Sequence, residues 1–282
     1  MFENIIGMFF RILPWNLKGK NRLARFIFGF LNKNKPFLIK NNLNHEFFVP
    51  NIQEPIAFSL FINGVYEPDV LDLIKSNSNQ DDIVVDVGAN IGCFVIPVSK
   101  HLNKGGKIIA FEPSFFVCDI LKENIKRNSI DNAELVNSAV SNTSGTISFF
   151  EAPDTIFGMG GLAGMGAISK EVKVPCVTLD DYFSSENKNI SILKIDVEGF
   201  EVLVLKGAEK LLINNRIKMI IFEFLDWAEK RVPNHKVGDA QRYLRSLGFE
   251  IWRLADYQKG LAPLTEILEI GGDMLVAKKR LN

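Results

Sequence analysis

One short stretch constrains the fold more than any other: residues 83–92 are Ile-Val-Val-Asp-Val-Gly-Ala-Asn-Ile-Gly. The β-branched residues around Asp86 predict a strand that is buried on both faces of a sheet. Gly88 and Gly92 follow, and glycine allows the tight turn and the close backbone approach that a bound ligand needs. We expect a helix from about Cys93 to His101. The stretch therefore predicts a strand, a turn and a helix start that together hold a nucleotide-type ligand.

A second apolar run, residues 107–111, ends in Glu112, twenty positions beyond Gly92. A carboxylate at this place can accept hydrogen bonds from both hydroxyls of a ribose. The turn departs from the dinucleotide-binding pattern G-x-G-x-x-G, because Asn90 replaces the second glycine and Asp86 precedes the first. An acid in this crevice repels a pyrophosphate but suits an ammonium and a sulfonium, which S-adenosylmethionine carries. A plainer interpretation is also open, in which Asp86 caps the strand and the glycines only form a turn.

The composition narrows the class of protein. At 282 residues and 47% hydrophobic content, the chain can form one large α/β domain with an appendage, or two small domains. Lys plus Arg and Asp plus Glu balance at 33 each, so no overall charge favours nucleic acid. The cysteines form no C-x-x-C pair and the three histidines are far apart, so we expect no metal site and no disulfide framework. These features favour a reducing, cytoplasmic location.

The first 31 residues differ from the remainder, because large apolar residues alternate with five Lys or Arg residues. No apolar run there approaches the roughly 20 residues that a membrane span needs, and the apolar stretch precedes the positive cluster, unlike a secretory signal. Two interpretations are open. The segment could lie peripherally on the anionic cytoplasmic face of a membrane. Alternatively, it forms a helical hairpin that packs on the main domain or makes a homodimer contact.

Beyond an Asn- and Lys-rich connector with one expected strand at 37–40, strands alternate with helices from residue 58 onward. This alternation predicts an α/β fold with a doubly wound, mainly parallel sheet and helices on both faces. We expect an N-terminal extension over residues 1–55 and one domain over residues 56–282. Ligands should gather at the carboxyl ends of the strands. The expected later strands are 134–136, 146–150, 172–177, 190–195, 219–222, 250–254 and 274–277, with helices at 114–128, 200–212 and 237–247 among them.

Acidic residues end two of the later apolar runs. Asp196 follows the strand at 190–195 and should lie beside Asp86, where it could act as a general base or orient a hydroxyl or an amino group. Glu223 ends the next strand in the same manner. The competing interpretation is that these acids, with Glu198, only cap helices or strand ends. His235 lies in a loop beyond and could serve as a base near neutral pH, or could be a surface residue.

Two further segments bear on ligand binding. Ser138 and Ala139 follow the third strand, where a doubly wound sheet could present polar groups to an adenine edge. Residues 151–170 contain five glycines interleaved with large apolar side chains. Such a loop predicts a lid that closes over a bound substrate, and the alternative is a flexible insertion without a catalytic role.

Taken together, these motifs resemble the FkbM-type methyltransferases of the class I S-adenosylmethionine-dependent superfamily. The similarity rests on residues 64–68, 85–92, 111–113 and 193–201, and it covers roughly residues 58–279. It implies a Rossmann-like sheet of seven strands and O-methylation of a hydroxyl on a sugar, polyketide or related metabolite. It also implies which residues bind the donor: Asp86, Gly88 and Gly92 at the methionine portion, Glu112 at the ribose, and Ser138 and Ala139 near adenine. Glu67, Asn90 and Asp196 complete this predicted site.

The sequence thus predicts an S-adenosylmethionine-dependent O-methyltransferase that acts on a sugar, a glycan or a secondary metabolite by in-line transfer. The predicted catalytic residues are Asp196, as first choice of base, Glu223 and His235. A nicotinamide-dependent oxidoreductase is a rival, but the chain lacks both G-x-G-x-x-G and a Tyr-x-x-x-Lys pair. The second rival is a non-catalytic membrane adaptor with a degenerate methyltransferase fold, which the intact acids at several strand ends disfavour.

Overall fold

A computed structural model describes residues 7, 9–28, 35–102, 105–153, 156, 158, 160–162 and 169–280. Expectations for the start of the N-terminal extension, and for much of the glycine-rich loop, lie outside these residues. The strands are β1 (Phe37–Lys40), β2 (Glu46–Val49), β3 (Ile83–Val87), β4 (Lys107–Phe111), β5 (Ala133–Val136), β6 (Ala139–Val140), β7 (Gly145–Glu151), β8 (Lys170–Val177), β9 (Ile190–Ile195), β10 (Ile217–Leu225), β11 (Phe249–Arg253) and β12 (Gly272–Lys279).

The helices in the described part of the chain precede the first strand or lie between the strands. They are α1 (Lys20–Phe28), α2 (Pro55–Asn63), α3 (Pro68–Asn77), α4 (Val95–His101), α5 (Phe115–Arg127), α6 (Leu179–Tyr182), α7 (Glu201–Lys206), α8 (Glu209–Ile213), α9 (Asp226–Glu229), α10 (Asp239–Ser246) and α11 (Leu254–Gln258).

The main sheet has seven strands in the order β11-β12-β10-β9-β3-β4-β5. The pairs β10/β9, β9/β3, β3/β4 and β4/β5 are parallel, whereas β12 runs antiparallel to both of its neighbours. The sheet is therefore mainly parallel, and the carboxyl ends of β3, β4, β9 and β10 meet at one edge. In this register Asp86 of β3 lies opposite Lys194 of β9. The predicted α/β class and the seven-stranded Rossmann-like sheet are confirmed.

Burial on both faces explains why the central strands are almost entirely apolar. Every residue of β3 and of β9 is buried. Because side chains alternate along a strand, Val84 and Ile192 pack with α3 and α4 on one face. Val85 and Leu193 pack with α7, α8 and α10 on the other face. Each such side chain gains about 1.5–3 kcal/mol from burial, so helices cover both faces, as the sequence predicts.

The structure differs from the sequence predictions in how some elements are arranged. β7 and β8, which the sequence predicts as strands, leave the main sheet and form a second sheet in the order β6-β8-β7. The helix predicted at 200–212 is two helices, α7 and α8. Gly207 lies between them, where an added Cβ would approach the carbonyl oxygen of Ser141 to 2.0 Å. That close backbone contact leaves no room for a side chain at residue 207.

The N-terminal extension packs on the main body through an aromatic cluster. The ring of Phe28 on α1 contacts those of Phe10 and Phe61 at centroid distances of 5.7 and 5.1 Å, and Phe37 contacts Phe61 at 5.6 Å. The connector holds two strands, β1 and β2, which form an antiparallel pair, whereas the sequence predicts only the first. Among the described helices, none combines the length and the apolar character that crossing a membrane requires.

Two buried asparagines, one in α5 and one directly after it, fix the strand β2 to the main body. The Asn124 side chain accepts from the backbone N–H of Phe48 at 2.6 Å and donates to the carbonyl of Phe48. It also donates to the carbonyl of Ile91 at 2.9 Å, within the glycine turn that follows β3. Asn128 makes the corresponding pair of bonds with the backbone of Glu46. The extension and the glycine turn are therefore held by the same helix and its C-terminal cap residue.

Candidate active site

A cavity opens at the carboxyl ends of β3, β4, β9 and β10, where ligands of such sheets bind. It encloses about 1030 Å³ of empty space, including the part that is open to solvent. Its walls come from the strand ends and from the loops above them. From the strand ends and their turns these are Val87, Gly88, Ala89, Asn90, Phe111, Glu112, Pro113, Ser114, Ser138, Ala139, Val140, Lys194, Asp196, Val197, Glu198 and Glu223.

The glycine turn forms the floor of the cavity. Gly88 has φ of +83°, and an added Cβ would lie 1.9 Å from the backbone oxygen of Asp196, so no side chain fits there. The N–H groups of Gly88 and Ala89 donate to the carbonyl of Phe111, and the N–H of Asp196 donates to the carbonyl of Val87, all at 3.0 Å. These bonds join the ends of β3, β4 and β9 into one surface.

Gly92 serves packing instead of lining the cavity. Its φ is +91°, and an added Cβ would lie 2.6 Å from Cδ1 of Leu121 on α5. Gly92 is not among the residues that form the cavity wall. Of the two glycines predicted to hold the donor, Gly88 is therefore at the cavity and Gly92 keeps the following helix close to α5.

Glu112 is held in one orientation by the backbone around it. Its Oε2 accepts from the N–H of Asn90 at 2.9 Å, and its Oε1 accepts from the N–H of Ser114 at 3.0 Å. Burial raises the pKa of Glu112 to about 7, and these two bonds oppose that rise. A carboxylate oxygen has two acceptor sites, so each oxygen can still accept one ligand hydroxyl. This arrangement suits the pair of hydroxyls on a ribose.

The side chain of Asp86 does not line the cavity, although the sequence predicts that it binds the donor there. The side chain is 1% exposed and is not part of the cavity wall. Its Oδ1 pairs with Nζ of Lys194 at 3.2 Å, and its Oδ2 has no hydrogen-bond partner. Burial raises the pKa of Asp86, while Lys194 opposes that rise. Asp86 therefore lies beneath the cavity and acts on it through Lys194.

Lys194 is the residue that sequence reasoning overlooked. Its Nζ contacts Oδ2 of Asp196 at 3.3 Å as well as Asp86, and it lies 4.7 Å from the ring centroid of Phe94. Burial disfavours the charged form, but Asp86, Asp196 and Glu67 outweigh burial and raise the pKa of Lys194. The ammonium therefore stays charged and bridges two carboxylates. The available signal was a lysine, the single charged residue, in the mainly apolar run 190–195, because a buried lysine needs partners.

Carboxyl groups crowd the side of the cavity around Asp196, whose side chain is 23% exposed. Burial raises the pKa of Glu67 and of Glu198 to about 7, and Asp196 adds to both shifts. Burial raises the pKa of Glu223 to about 10, and Asp196 and Glu198 again add to it. Glu67 has φ of +40° at the start of α3 and an unpartnered Oε2. The predicted residues Asp196 and Glu223 are thus brought together in one acidic wall, with Glu67 close to Asp196.

His235 does not belong to this site. Its Nε2 lies 3.2 Å from Nζ of Lys206, and its Nδ1 lies 2.8 Å from the carbonyl oxygen of Pro233. It is absent from the cavity wall, so the prediction of a catalytic His235 has no geometric support. The sequence placed it after Glu223 along the chain, but the loop directs its ring to α7.

The described residues of the glycine-rich loop form part of the cavity wall. Gly158, Gly160, Gly161 and Leu162 contribute to the wall, beside Ile56 of α2 and Phe149 of β7. Gly161 forms an antiparallel bridge with Phe150, with N–H to carbonyl distances of 2.8 and 3.1 Å. The loop is thereby attached to the second sheet. Its position fits a cover over the cavity, and its closure over a substrate stays a prediction.

The chain is similar in sequence to known methyltransferases. The family model of the methyltransferase FkbM domain matches residues 86–251, more than half of the chain. The hexuronic acid methyltransferase AglP of Haloferax volcanii is 32% identical over 50% of this chain and 56% of its own length. The methyltransferase sdnD of Sordaria araneosa is 26% identical over 48% of this chain and 63% of its own. The match therefore covers less than two thirds of either relative.

Among solved structures, the O-methyltransferase from Bacillus cereus in complex with SAH aligns with a TM-score of 0.44 at 14% identity. The alignment covers 76% of this chain and 80% of that chain.

The Lys194 bridge makes a prediction for stability. Replacing Lys194 with methionine leaves Asp86 buried without its partner, so we expect a loss of about 3–5 kcal/mol in the free energy of unfolding. Adding Asp86→Asn should restore much of this loss, because the double variant has no unpaired buried charge. Urea denaturation followed by circular dichroism measures both. Lys218→Met is the matched control, since that side chain is 57% exposed and should change stability by less than about 1 kcal/mol.

Equal stability of Lys194→Met and the unchanged chain would contradict the bridge. So would a double variant that is no more stable than the single one.

Proposed function

The chain belongs to the FkbM methyltransferase family, and we propose that it transfers a methyl group from S-adenosylmethionine to a hydroxyl oxygen of a sugar or glycan. The observation that carries this proposal is the cavity itself. In its wall, Glu112 has two oriented oxygens, and Asp196 is fixed by Lys194 beside further carboxyl groups. Binding of a cationic donor and of a polyhydroxylated acceptor would use such a surface.

The residues fit the donor in three places. The oxygens of Glu112 would accept the two ribose hydroxyls. Gly88 and Asn90 would let the backbone approach the methionine portion, while Ser138 and Ala139 would lie at the adenine. The acidic wall around Asp196 would attract the positive charges of the ammonium and the sulfonium. When bound, the donor supplies an electrophilic methyl carbon whose bond to sulfur breaks as the new bond to oxygen forms.

The contribution of the chain is alignment and proton removal. Positioning of two reactants can lower a barrier by about 7–11 kcal/mol, so the walls that orient the acceptor hydroxyl matter most. The acceptor oxygen uses an electron pair to bond to the methyl carbon, the electrons of the broken bond stay on sulfur, and the hydroxyl proton goes to a base. We propose Asp196 for this role, because its carboxylate is held at the cavity by Lys194.

Glu223 suits a different task. With a pKa of about 10 its carboxyl group is protonated near neutral pH, so it can donate a hydrogen bond to an acceptor oxygen. A protonated carboxyl cannot take the hydroxyl proton. Glu223 would therefore orient the acceptor while Asp196 receives the proton.

A binding experiment tests the donor. Isothermal calorimetry with S-adenosylhomocysteine should give a 1:1 complex with a Kd in the micromolar range, whereas NAD should give no binding. The nicotinamide cofactor has a pyrophosphate, which the carboxylate of Asp196 in the acidic wall would repel. NAD binding in the absence of S-adenosylhomocysteine binding would favour an oxidoreductase. No heat with either compound would favour a non-catalytic adaptor.

Replacing Asp196 with asparagine tests the base. The amide keeps the size of the side chain but accepts no proton, so we expect turnover to fall by about 10²–10⁴-fold. S-adenosylhomocysteine affinity, measured by calorimetry on the same preparation, should change by less than about 10-fold. Glu171→Gln on the exposed part of β8 is the matched control and should keep full turnover. Full turnover of Asp196→Asn with unchanged donor affinity would show that another group removes the proton.

The charge of the cavity also limits the acceptor. Among the described wall residues, Lys194 is the one cation, and it is already paired with two carboxylates. The name of the relative AglP refers to a hexuronic acid, which supports a sugar as acceptor. A uronate carboxylate would meet the carboxylate of Asp196 and the partly ionised carboxyl group of Glu198 here without a free cation. We therefore propose a neutral sugar as acceptor.

Methyl transfer from labelled donor to matched sugars tests this preference. A neutral hexose glycoside should be methylated at least about 10-fold faster than the corresponding hexuronide, since like charges at close range cost more than about 1.4 kcal/mol. Glu198→Gln should narrow that ratio by removing one negative charge from the wall. A hexuronide that is methylated faster than the hexoside would overturn the preference and leave the methyltransfer proposal standing.

A further inference from the structure

Large hydrophobic side chains are exposed in an unusual concentration near the start of the chain. Half of the exposed large hydrophobic residues in the described part of the chain fall between residues 9 and 27. Phe9, Ile12 and Phe26 are 73%, 79% and 75% exposed. Contiguous exposed apolar surface marks a binding surface more often than scattered single residues do. The set, here called the N-terminal patch, is Phe9, Ile12, Leu13, Trp15, Leu17, Leu23, Phe26 and Ile27.

Helix α1 shows that this exposure is not a consequence of poor packing. Lys20, Ala24 and Phe28 recur every four residues and form its buried face. Leu23, Phe26 and Ile27 recur at three and four residues and form a second apolar stripe, which is exposed. The helix therefore has one face that packs on the protein and another apolar face that meets solvent.

The patch is held firmly to the main body. The ring of Phe10 contacts that of Phe28, which brings residues 9–13 against α1. Arg11 donates to the carbonyls of Phe61 and Lys40 at 3.0 and 2.7 Å. Arg25 lies 4.4 Å from the ring centroid of Phe58. The patch is thus part of the folded structure, and it is carried by α2, whose Ile56 lines the cavity.

Charge in this region is of one sign. Residues 4–45 contain eight Lys or Arg residues and no Asp or Glu, although the whole chain has no net charge. Lys18 and Arg22 are exposed beside the patch. The remainder of the chain therefore contains more Asp and Glu than Lys and Arg. An apolar surface bordered by cations complements an anionic lipid bilayer, which accepts both the apolar side chains and the basic groups.

We propose that the N-terminal patch docks on the surface of an anionic lipid bilayer, with its apolar side chains among the acyl chains and Lys18 and Arg22 at the headgroups. A second copy of the chain fits less well, because two basic, acid-free surfaces would face each other. Trp15 is 47% exposed in the same region, and tryptophan favours the membrane interface. Docking in this orientation would place the wall of the cavity that holds Ile56 near the lipid surface.

Co-sedimentation of the full chain with vesicles tests this proposal. Vesicles of phosphatidylcholine with phosphatidylglycerol should bind the chain at least about 10-fold more tightly than vesicles of phosphatidylcholine alone, since each basic residue near an anionic surface contributes roughly a 5-fold gain. High salt should weaken this binding, because it screens charges at the surface. Equal binding to both kinds of vesicle, or binding to neither, would overturn the proposal.

Two variants separate the apolar and the basic contributions. Phe26→Ser should weaken binding to the phosphatidylglycerol vesicles by about 10-fold or more, because it removes a large apolar side chain from the lipid. Arg22→Gln should weaken it by roughly 5-fold, and only when phosphatidylglycerol is present. Ile270→Ser is the matched control, since Ile270 is 87% exposed elsewhere and should bind as the unchanged chain does. All three should keep S-adenosylhomocysteine affinity and the circular dichroism spectrum, because the replaced side chains are exposed.

Unchanged vesicle binding by Phe26→Ser would show that the patch is not the docking surface. Light scattering separates the remaining alternative. A dimer that Phe26→Ser converts to a monomer would assign the patch to self-association and overturn membrane docking.

Discussion

The ammonium of Lys194, held between Asp86 and Asp196, is the interaction on which the geometry of the site depends. It joins the neighbouring strands β3 and β9 below the cavity and fixes the carboxylate that faces the ligand. A buried charge is tolerated only with partners, so the three residues must be present together. The turn after β3 also requires glycine at residue 88, because any side chain there would collide with the backbone oxygen of Asp196.

Sequence reasoning predicts the position of the site well, because local patterns specify it. Apolar runs that end in acids mark the carboxyl ends of parallel strands, and Glu112, Asp196 and Glu223 do lie at one cavity. The role of each acid depends on partners that are distant along the chain. Asp86 was expected to face the ligand, yet the strand register places it opposite Lys194, 108 residues later. No pattern within a single segment contains that pairing.

The same limit explains the other differences in the fold. β7 and β8 are evident as strands, but their pairing with each other and with β6 in a separate sheet is a tertiary choice. The second strand of the N-terminal pair, β2, depends on Asn124 of α5 and on Asn128 directly after that helix, which supply hydrogen bonds to its backbone. His235 follows Glu223 closely along the chain, yet its ring turns to Lys206. Two residues that are close in sequence are therefore expected at the same site only when they belong to the same helix or strand.

The absence of net charge conceals a strong separation of charge. Basic residues outnumber acidic ones in the N-terminal extension, whereas acidic residues outnumber the one lysine among the described residues of the cavity wall. Charges at the surface act over a Debye length of about 8–10 Å, while buried carboxyl groups are screened far less. The cavity and the extension can therefore select ligands of opposite charge within one chain. Because Ile56 of α2 lines the cavity and Phe61 of α2 packs against the extension, a chain that docks through the extension would hold its cavity near the bilayer surface.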